Sequence, residues 1–125
     1  QVDNPCSSKE VPFILSQADI GLLHLPNRSE WRGASPLKVS EYAAAGMCVI
    51  SSDVSGLSEF KHEEWLTLVP LGDDSGFLSA TNDLIQSGMD EIRRKGELAK
   101  KWAIQNRDWS VCVNDLEKYI IDSLN

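Results

Sequence analysis

Three short apolar runs divide the first part of the chain and predict β-strands. They occupy Asp19–Leu25, Met47–Ser51 and Trp65–Pro70. The first run is almost continuously apolar, which is typical of a strand buried on both faces of a parallel sheet. A helix is expected over Pro36–Ala45, because Ser35-Pro36 is a helix-start signal and Gly46 suits a left-handed residue after the last turn.

After the third run, the pattern changes to a helical periodicity. The other expected elements are a helix at Val11–Ala18, loops at Asn27–Ala34 and Ser52–Gly56, a helical turn at Leu57–His62, and helices at about Ser75–Gln86, Met89–Asn106 and Ser110–Leu124. Strands that alternate with helices predict right-handed crossovers and therefore an α/β fold, a Rossmann-like parallel sheet with flanking helices. Because sheets usually hold about five or six strands, we expect earlier strands of this sheet in a segment that precedes Gln1.

Composition narrows the class of protein. With 125 residues, 42% hydrophobic and 25% charged, the chain predicts one soluble domain. A net charge of -7 disfavours a nucleic-acid binder, because a phosphate backbone requires a concentrated basic surface. No apolar run approaches the roughly 20 residues of a transmembrane helix, and no signal peptide opens the chain. The three cysteines are widely separated and suit neither a disulfide framework nor a zinc site, so a cytoplasmic location is expected.

A candidate ligand site lies where the first strand leads into the next helix. Ligands of α/β sheets bind at the carboxyl ends of the strands. With Ser35 as the N-cap and Pro36 at the first helical position, the N–H groups of Leu37 and Lys38 are free donors at the positive end of the helix dipole. The sequence therefore predicts an anion site at this helix start.

Flanking residues extend this site. Gly33 lets a ligand approach the backbone closely, and Lys38 or Arg32 can supply a positive charge for a diphosphate. Glu41 lies one turn further along the same side of the helix, where an ionised carboxylate can accept hydrogen bonds from both hydroxyls of a ribose. The plainer alternative is a solvated helix, in which Ser35 caps one amide and Glu41 faces water.

Several segments, in this order and spacing, resemble the donor half of group 1 glycosyltransferases (family 4), which have the GT-B fold. They are Ala18–Leu23, Ser35–Lys38, Glu41–Gly46, Val49–Ile50, the loop Asp53–Glu59 and the aromatic marker Asp108-Trp109-Ser110. The resemblance covers about Val11 to Tyr119. It implies that residues 1–125 form the C-terminal part of the nucleotide-sugar (donor) binding domain, and that the acceptor domain and the first strands of the donor domain are absent.

In that family a Glu-x7-Glu motif spans the loop and the helix. Its first Glu contacts the transferred sugar, its second contacts the ribose, and the intervening amides contact the diphosphate. Glu41 matches the second position, whereas the first position falls on Gly33 and Glu30 lies three residues too early. The resemblance therefore leaves the sugar contact unassigned, and it implies that the basic residues on the diphosphate lie upstream of Gln1.

The implied activity is the transfer of a sugar, of the hexosyltransferase type, from a nucleotide diphosphate sugar to an acceptor in polysaccharide biosynthesis. Retention of anomeric configuration is expected, without an obligatory metal or a further cofactor. Expected partners are the nucleotide sugar and the acceptor domain, and the full protein is compatible with peripheral membrane association. The present chain alone is expected to be inactive.

Two alternatives stay open at this point. The first is a non-catalytic nucleotide-sugar-binding or protein-interaction domain of the same fold, for which the missing first Glu is the motive. The second is a receiver-like or flavodoxin-like domain, although the early acidic cluster of a receiver is not evident in the sequence.

Other candidate residues favour structural roles. His24 is expected to be a hydrogen-bonded core or strand-end residue, His62 a surface residue and Cys48 a small core residue. Packing is expected for three of the tryptophans, Trp65, Trp102 and Trp109. Trp31 either covers a base or sugar or anchors its loop. The family resemblance implies that the last helix reaches back towards the acceptor domain, with a packing stripe of Val113, Leu116 and Ile120.

Overall fold

A parallel three-stranded sheet lies at the centre of the computed structural model, which describes residues 6–124. Its strands are β1 (Ile20–Leu23), β2 (Cys48–Ser52) and β3 (Leu66–Val69). They pair in the order β1-β2-β3, with Gly21 opposite Val49 and Ile50 opposite Thr67. This confirms the predicted α/β class with a parallel sheet and flanking helices.

Helices surround this sheet. Within residues 6–124 they are α1 (Val11–Leu15), α2 (Ser29–Arg32), α3 (Leu37–Ala44), a 3₁₀ helix (Ser55–Phe60), α4 (Asp74–Gln86), α5 (Met89–Arg107) and α6 (Trp109–Leu124). The predicted loop at Asn27–Ala34 therefore contains one helical turn, closed by the Ala34 N–H, which donates to the Trp31 carbonyl at 3.0 Å. Among these helices, none combines the length and the hydropathy that a membrane crossing requires.

Apolar side chains form one cluster on each face of the sheet. Val39, Ala43 and Leu57 belong to one cluster together with Trp65 and Trp102, which lie with ring centroids 4.9 Å apart. The cluster on the other face contains Ile50, Val69, Phe77, Leu84 and Ile92. All five residues of β2 are buried, so β2 contributes to both clusters and is the centre of the core.

The prediction that the first strand is buried on both faces is wrong. Gly21 is buried beneath Tyr42 of α3, whereas Leu22 is 48% exposed. The reason lies in the layers: α3 packs on β1 and β2, but α4 packs on β2 and β3. A continuous apolar run cannot reveal which of its faces a later helix will cover.

The tryptophans and the last helix differ from one another in burial. Trp65 and Trp102 are buried, as predicted, but the prediction of packing is wrong for Trp109, which is 82% exposed. Helix α6 packs against α5, yet none of its described side chains is buried. Its apolar stripe of Val113, Leu116 and Ile120 lies open to solvent in this structure.

Gly96 allows α5 to pack directly against the turn between α3 and β2. It is buried against the turn that ends α3, where Gly46 has φ 82, the left-handed conformation that the sequence predicts. A Cβ atom at position 96 would collide with the carbonyl oxygen of Gly46, which is backbone and cannot rotate away. The α3 to β2 turn and α5 therefore depend on the absence of a side chain at Gly96.

We expect Gly96→Ala to lower the free energy of unfolding by about 1–3 kcal/mol, because overpacking outweighs the helix propensity gained with alanine. Chemical denaturation followed by tryptophan fluorescence measures this change. Gly33→Ala is the matched control, since a Cβ atom there meets nothing within 4 Å, and its effect should stay within about 0.5 kcal/mol. Equal stability of the two variants would contradict the proposed contact.

Candidate functional site

The start of α3 presents two free backbone donors. Pro36, with φ -74 and ψ 110, occupies the N-cap position, and no side chain caps the helix. The Val39 N–H donates to the Pro36 carbonyl at 3.2 Å, whereas the N–H groups of Leu37 and Lys38 have no hydrogen-bond partner among residues 6–124. Both amides lie at the positive end of the helix dipole, so this helix start favours an anion.

The expectation that Ser35 caps this helix is therefore wrong, and the helix begins one residue later than predicted. Proline has no side-chain acceptor, so with Pro36 at the N-cap neither amide is used by a capping side chain. The physical consequence is favourable for binding. A ligand does not have to displace a serine hydroxyl before it reaches the backbone of Leu37 and Lys38.

Glu41 and Lys38 form an ion pair on the exposed side of α3. The Nζ atom of Lys38 lies 2.7 Å from Oε2 of Glu41, and the two side chains are 57% and 45% exposed. Hydrogen bonding to Glu41 and its charge raise the pKa of Lys38, so the ammonium stays charged at neutral pH. From the sequence both residues were placed near a ligand and their mutual pairing was not predicted, although a spacing of three residues along a helix is a signal for it.

A cleft of about 520 Å³ opens between α3, the 3₁₀ helix and the corner between α5 and α6. It is lined by Ser35, Pro36, Leu37, Ser40, Glu41, Ala44, Gly56, Leu57, Phe60, Arg107, Trp109 and Cys112. Four of the predicted site residues thus share one cleft, namely Ser35, Pro36, Leu37 and Glu41. Three others do not line it: Lys38 is paired with Glu41, which does line it, and Arg32 and Gly33 lie exposed at the end of α2.

Glu41 also borders a second cleft, on the other side of α3. This cleft has a volume of about 500 Å³ and is lined by Ser8, Val11, Pro12, Leu15, Ser16, Glu41, Ala44, Ala45 and Lys100. The Glu41 carboxylate therefore lies between the two clefts and lines both of them. A ligand that extends along α3 can contact this carboxylate from either of them.

Gly56 holds the floor of the first cleft against the start of α3. Its N–H donates to the Ala34 carbonyl at 3.2 Å, and a Cβ atom at this position would lie 2.6 Å from Cα of Ser35. No larger residue can bring the 3₁₀ helix this close to the backbone of Ala34 and Ser35. The sequence marks Gly56 only as a turn residue, and its contact with Ala34 and Ser35, far earlier in the chain, has no local signal.

The third wall of the cleft was missed at the sequence level. Arg107, the last residue of α5, lies with its guanidinium carbon 5.0 Å from the centroid of Phe60 and 5.6 Å from that of Trp102. One of its nitrogens is 3.5 Å from Oε1 of Glu59. Trp109 follows at the start of α6 and exposes most of its ring beside the cleft. These residues are more than sixty positions from α3, so only the tertiary fold brings them to the site.

Three structural expectations are confirmed. His24 lies 2.9 Å from Oδ1 of Asp74 through Nε2 and contacts the Phe77 ring edge-on at 4.9 Å. His62 is exposed. Cys48 is buried, and burial raises the pKa of its thiol, so it stays a protonated core residue. Neither histidine and neither of the residues Cys48 and Trp31 lines the first cleft.

Comparison of the chain with known proteins identifies its family. The family model described as "Glycosyl transferases group 1" matches residues 5–87, which include all three strands, α1 to α4 and every predicted site residue. No curated protein and no solved structure matches the chain significantly. Because the family match covers more than half of the 125 residues, the chain belongs to the group 1 glycosyltransferases.

Proposed function

We propose that the start of α3 and the first cleft bind a nucleotide diphosphate sugar, the donor from which this glycosyltransferase takes its sugar. One observation carries the proposal: two free amides and a carboxylate lie one helical turn apart along one side of α3. A diphosphate needs donors and a ribose diol needs an acceptor. The spacing of Leu37 and Glu41 matches the order of these two groups in a nucleotide.

In this proposal the Leu37 and Lys38 amides stabilise the leaving group. During transfer, the bond between the anomeric carbon and the diphosphate oxygen breaks, and negative charge accumulates on the diphosphate. Fixed N–H dipoles at a helix start favour that charge without having to reorient. Lys38 and Arg32 act as auxiliary cations. The acceptor hydroxyl oxygen bonds to the anomeric carbon with retained configuration and without an obligatory metal, and its proton leaves with the diphosphate.

Glu41 orients the ribose rather than the reacting carbon. Its carboxylate offers two oxygens, so it can accept a hydrogen bond from each hydroxyl of the diol. Gly33 stands where the family has its sugar-contacting Glu, and the space beside its backbone is open. We therefore propose that backbone groups near Gly33 and the acceptor domain hold the transferred hexose. As a separate proposal, suggested by the family, the product belongs to polysaccharide biosynthesis.

We expect one of UDP, GDP and ADP to bind the folded chain in ligand-observed NMR, and Glu41→Ala to weaken that binding about tenfold or more, the effect of a lost hydrogen bond to a charged group. Glu97→Ala is the control, because Glu97 is exposed on α5 and does not line either cleft beside α3. Circular dichroism checks that both variants fold. Equal affinities of the Glu41 and Glu97 variants would refute the role of Glu41.

We also expect no sugar transfer by the purified 125-residue chain, because the proposed site lies against an acceptor domain that this chain does not supply. The measurement is release of the nucleoside diphosphate from the three common classes of donor, UDP-, GDP- and ADP-sugars. Addition of the acceptor domain, fused or in trans, is the positive arm. Turnover by the chain alone would show that the proposed need for a second domain is wrong.

One observation favours a second candidate function. The absence of a carboxylate at Gly33 removes a sugar contact of the family but leaves the amide and Glu41 contacts intact. A domain that binds a nucleotide sugar without transferring it needs only the remaining contacts. Binding without turnover in the presence of the acceptor domain would favour this candidate over the transferase.

A further inference from the structure

The Lys38–Glu41 ion pair occupies the same groups that the proposed ligand needs. Glu41 Oε2 is held by the Lys38 ammonium at 2.7 Å. A ribose diol that uses this carboxylate must therefore share or displace the ammonium. Lys38, in turn, carries the positive charge nearest in sequence to the free amides at the start of α3.

We propose that Lys38 and Glu41 form an exchange pair that selects nucleoside diphosphates over nucleosides. This inference rests on the proposed function and assigns a specificity role to one residue of that site. When a nucleoside diphosphate binds, the Lys38 ammonium moves from Glu41 to the diphosphate, and the released carboxylate accepts the ribose. A nucleoside offers no anion, so it must either leave Lys38 without a counter-charge or compete with it for Glu41.

The geometry allows this movement. Lys38 is the second residue of α3, so its own backbone amide belongs to the anion site, while Glu41 lies one turn further on. A flexible four-carbon stem and three donors let the ammonium serve either direction. Both side chains are about half exposed, and neither makes a second ion pair in the described chain.

The Lys38–Glu41 ion pair is weak enough for a diphosphate to displace Glu41 from Lys38. Exposed ion pairs of this kind change an equilibrium constant by no more than about fivefold. Charge-assisted contacts of an ammonium with a diphosphate contribute about tenfold or more. A diphosphate therefore outcompetes Glu41 for Lys38, while a nucleoside has to overcome the pair without compensation.

Lys38→Met separates the two effects, because it removes the ammonium and keeps a long side chain. We expect this variant to bind the nucleoside about two- to fivefold more tightly, since Glu41 is released. It should bind the corresponding nucleoside diphosphate about tenfold more weakly, since the cation is lost. The measurements are NMR or calorimetric titrations of the folded chain with the pairs uridine and UDP, guanosine and GDP, and adenosine and ADP.

Two controls make the test specific. Lys61→Met removes the same charge from an exposed turn outside both clefts and should change neither affinity. In a Glu41→Gln background, Lys38→Met should no longer tighten nucleoside binding, because there is no ion pair left to release. Unfolding midpoints confirm that each variant folds.

The outcomes distinguish this inference from the proposed function. If the wild-type chain binds a nucleoside diphosphate but Lys38→Met leaves the nucleoside affinity unchanged or weakens it, the exchange pair is refuted and the donor site stands. If the folded wild-type chain binds none of the three diphosphates, both proposals fail. Opposite changes in the two affinities, of which the tighter nucleoside binding disappears in the Glu41→Gln background, support the exchange.

Discussion

The position of β2 determines where a ligand can bind. All five of its residues are buried, and it pairs in parallel with β1 on one side and β3 on the other. Each pair of adjacent parallel strands is joined by a crossover connection. Because the strand order is β1-β2-β3, both right-handed crossovers lie on the same face of the sheet. α3 and the 3₁₀ helix are these two crossovers, and Val39, Ala43 and Leu57 place both in one apolar cluster. The first cleft is thus a consequence of the strand order, because two adjacent crossovers start at the carboxyl edge and leave a groove between them.

Local signals in the sequence were sufficient for the elements and for half of the site. The left-handed Gly46 and the free amides at Leu37 and Lys38 each follow from a few neighbouring residues, and the parallel α/β sheet follows from the alternation of strands and helices. Ser35 shows the limit of such signals, because a shift of one residue decides whether a hydroxyl or a ligand uses the amides. Arg107 and Trp109 show a different limit. They reach the cleft because α5 packs on α3 and crosses the α3 to β2 turn, where Gly96 contacts Gly46. No hydrophobic periodicity in the sequence predicts this contact.

Burial was less predictable than secondary structure for the same reason. The apolar run of β1 is as continuous as that of β2, yet Leu22 is half exposed while Ile50 is fully buried. The two residues differ in burial because α4, which follows much later in the chain, packs on β2 and β3 and leaves this face of β1 uncovered. Trp109 is a comparable case at the start of α6, where an aromatic residue expected to pack is exposed beside the cleft. Hydrophobic pattern indicates which residues prefer burial, but the layer that buries them is a property of the whole fold.

Charge at the site is local and does not follow the charge of the chain. A net charge of -7 repels polyanions at long range, but exposed charges beyond roughly 10 Å are screened at moderate ionic strength. At the start of α3 two N–H dipoles and the Lys38 ammonium attract an anion, and the ammonium is paired with the Glu41 carboxylate. A lysine ammonium is already charged throughout the neutral range, and Glu41 raises the pKa of Lys38 further, so the proposed exchange between Glu41 and a diphosphate involves movement of an ion and no proton transfer. The negative charge of the whole chain is therefore compatible with the proposed diphosphate site, in which the ligand itself releases Glu41 from the lysine that holds it.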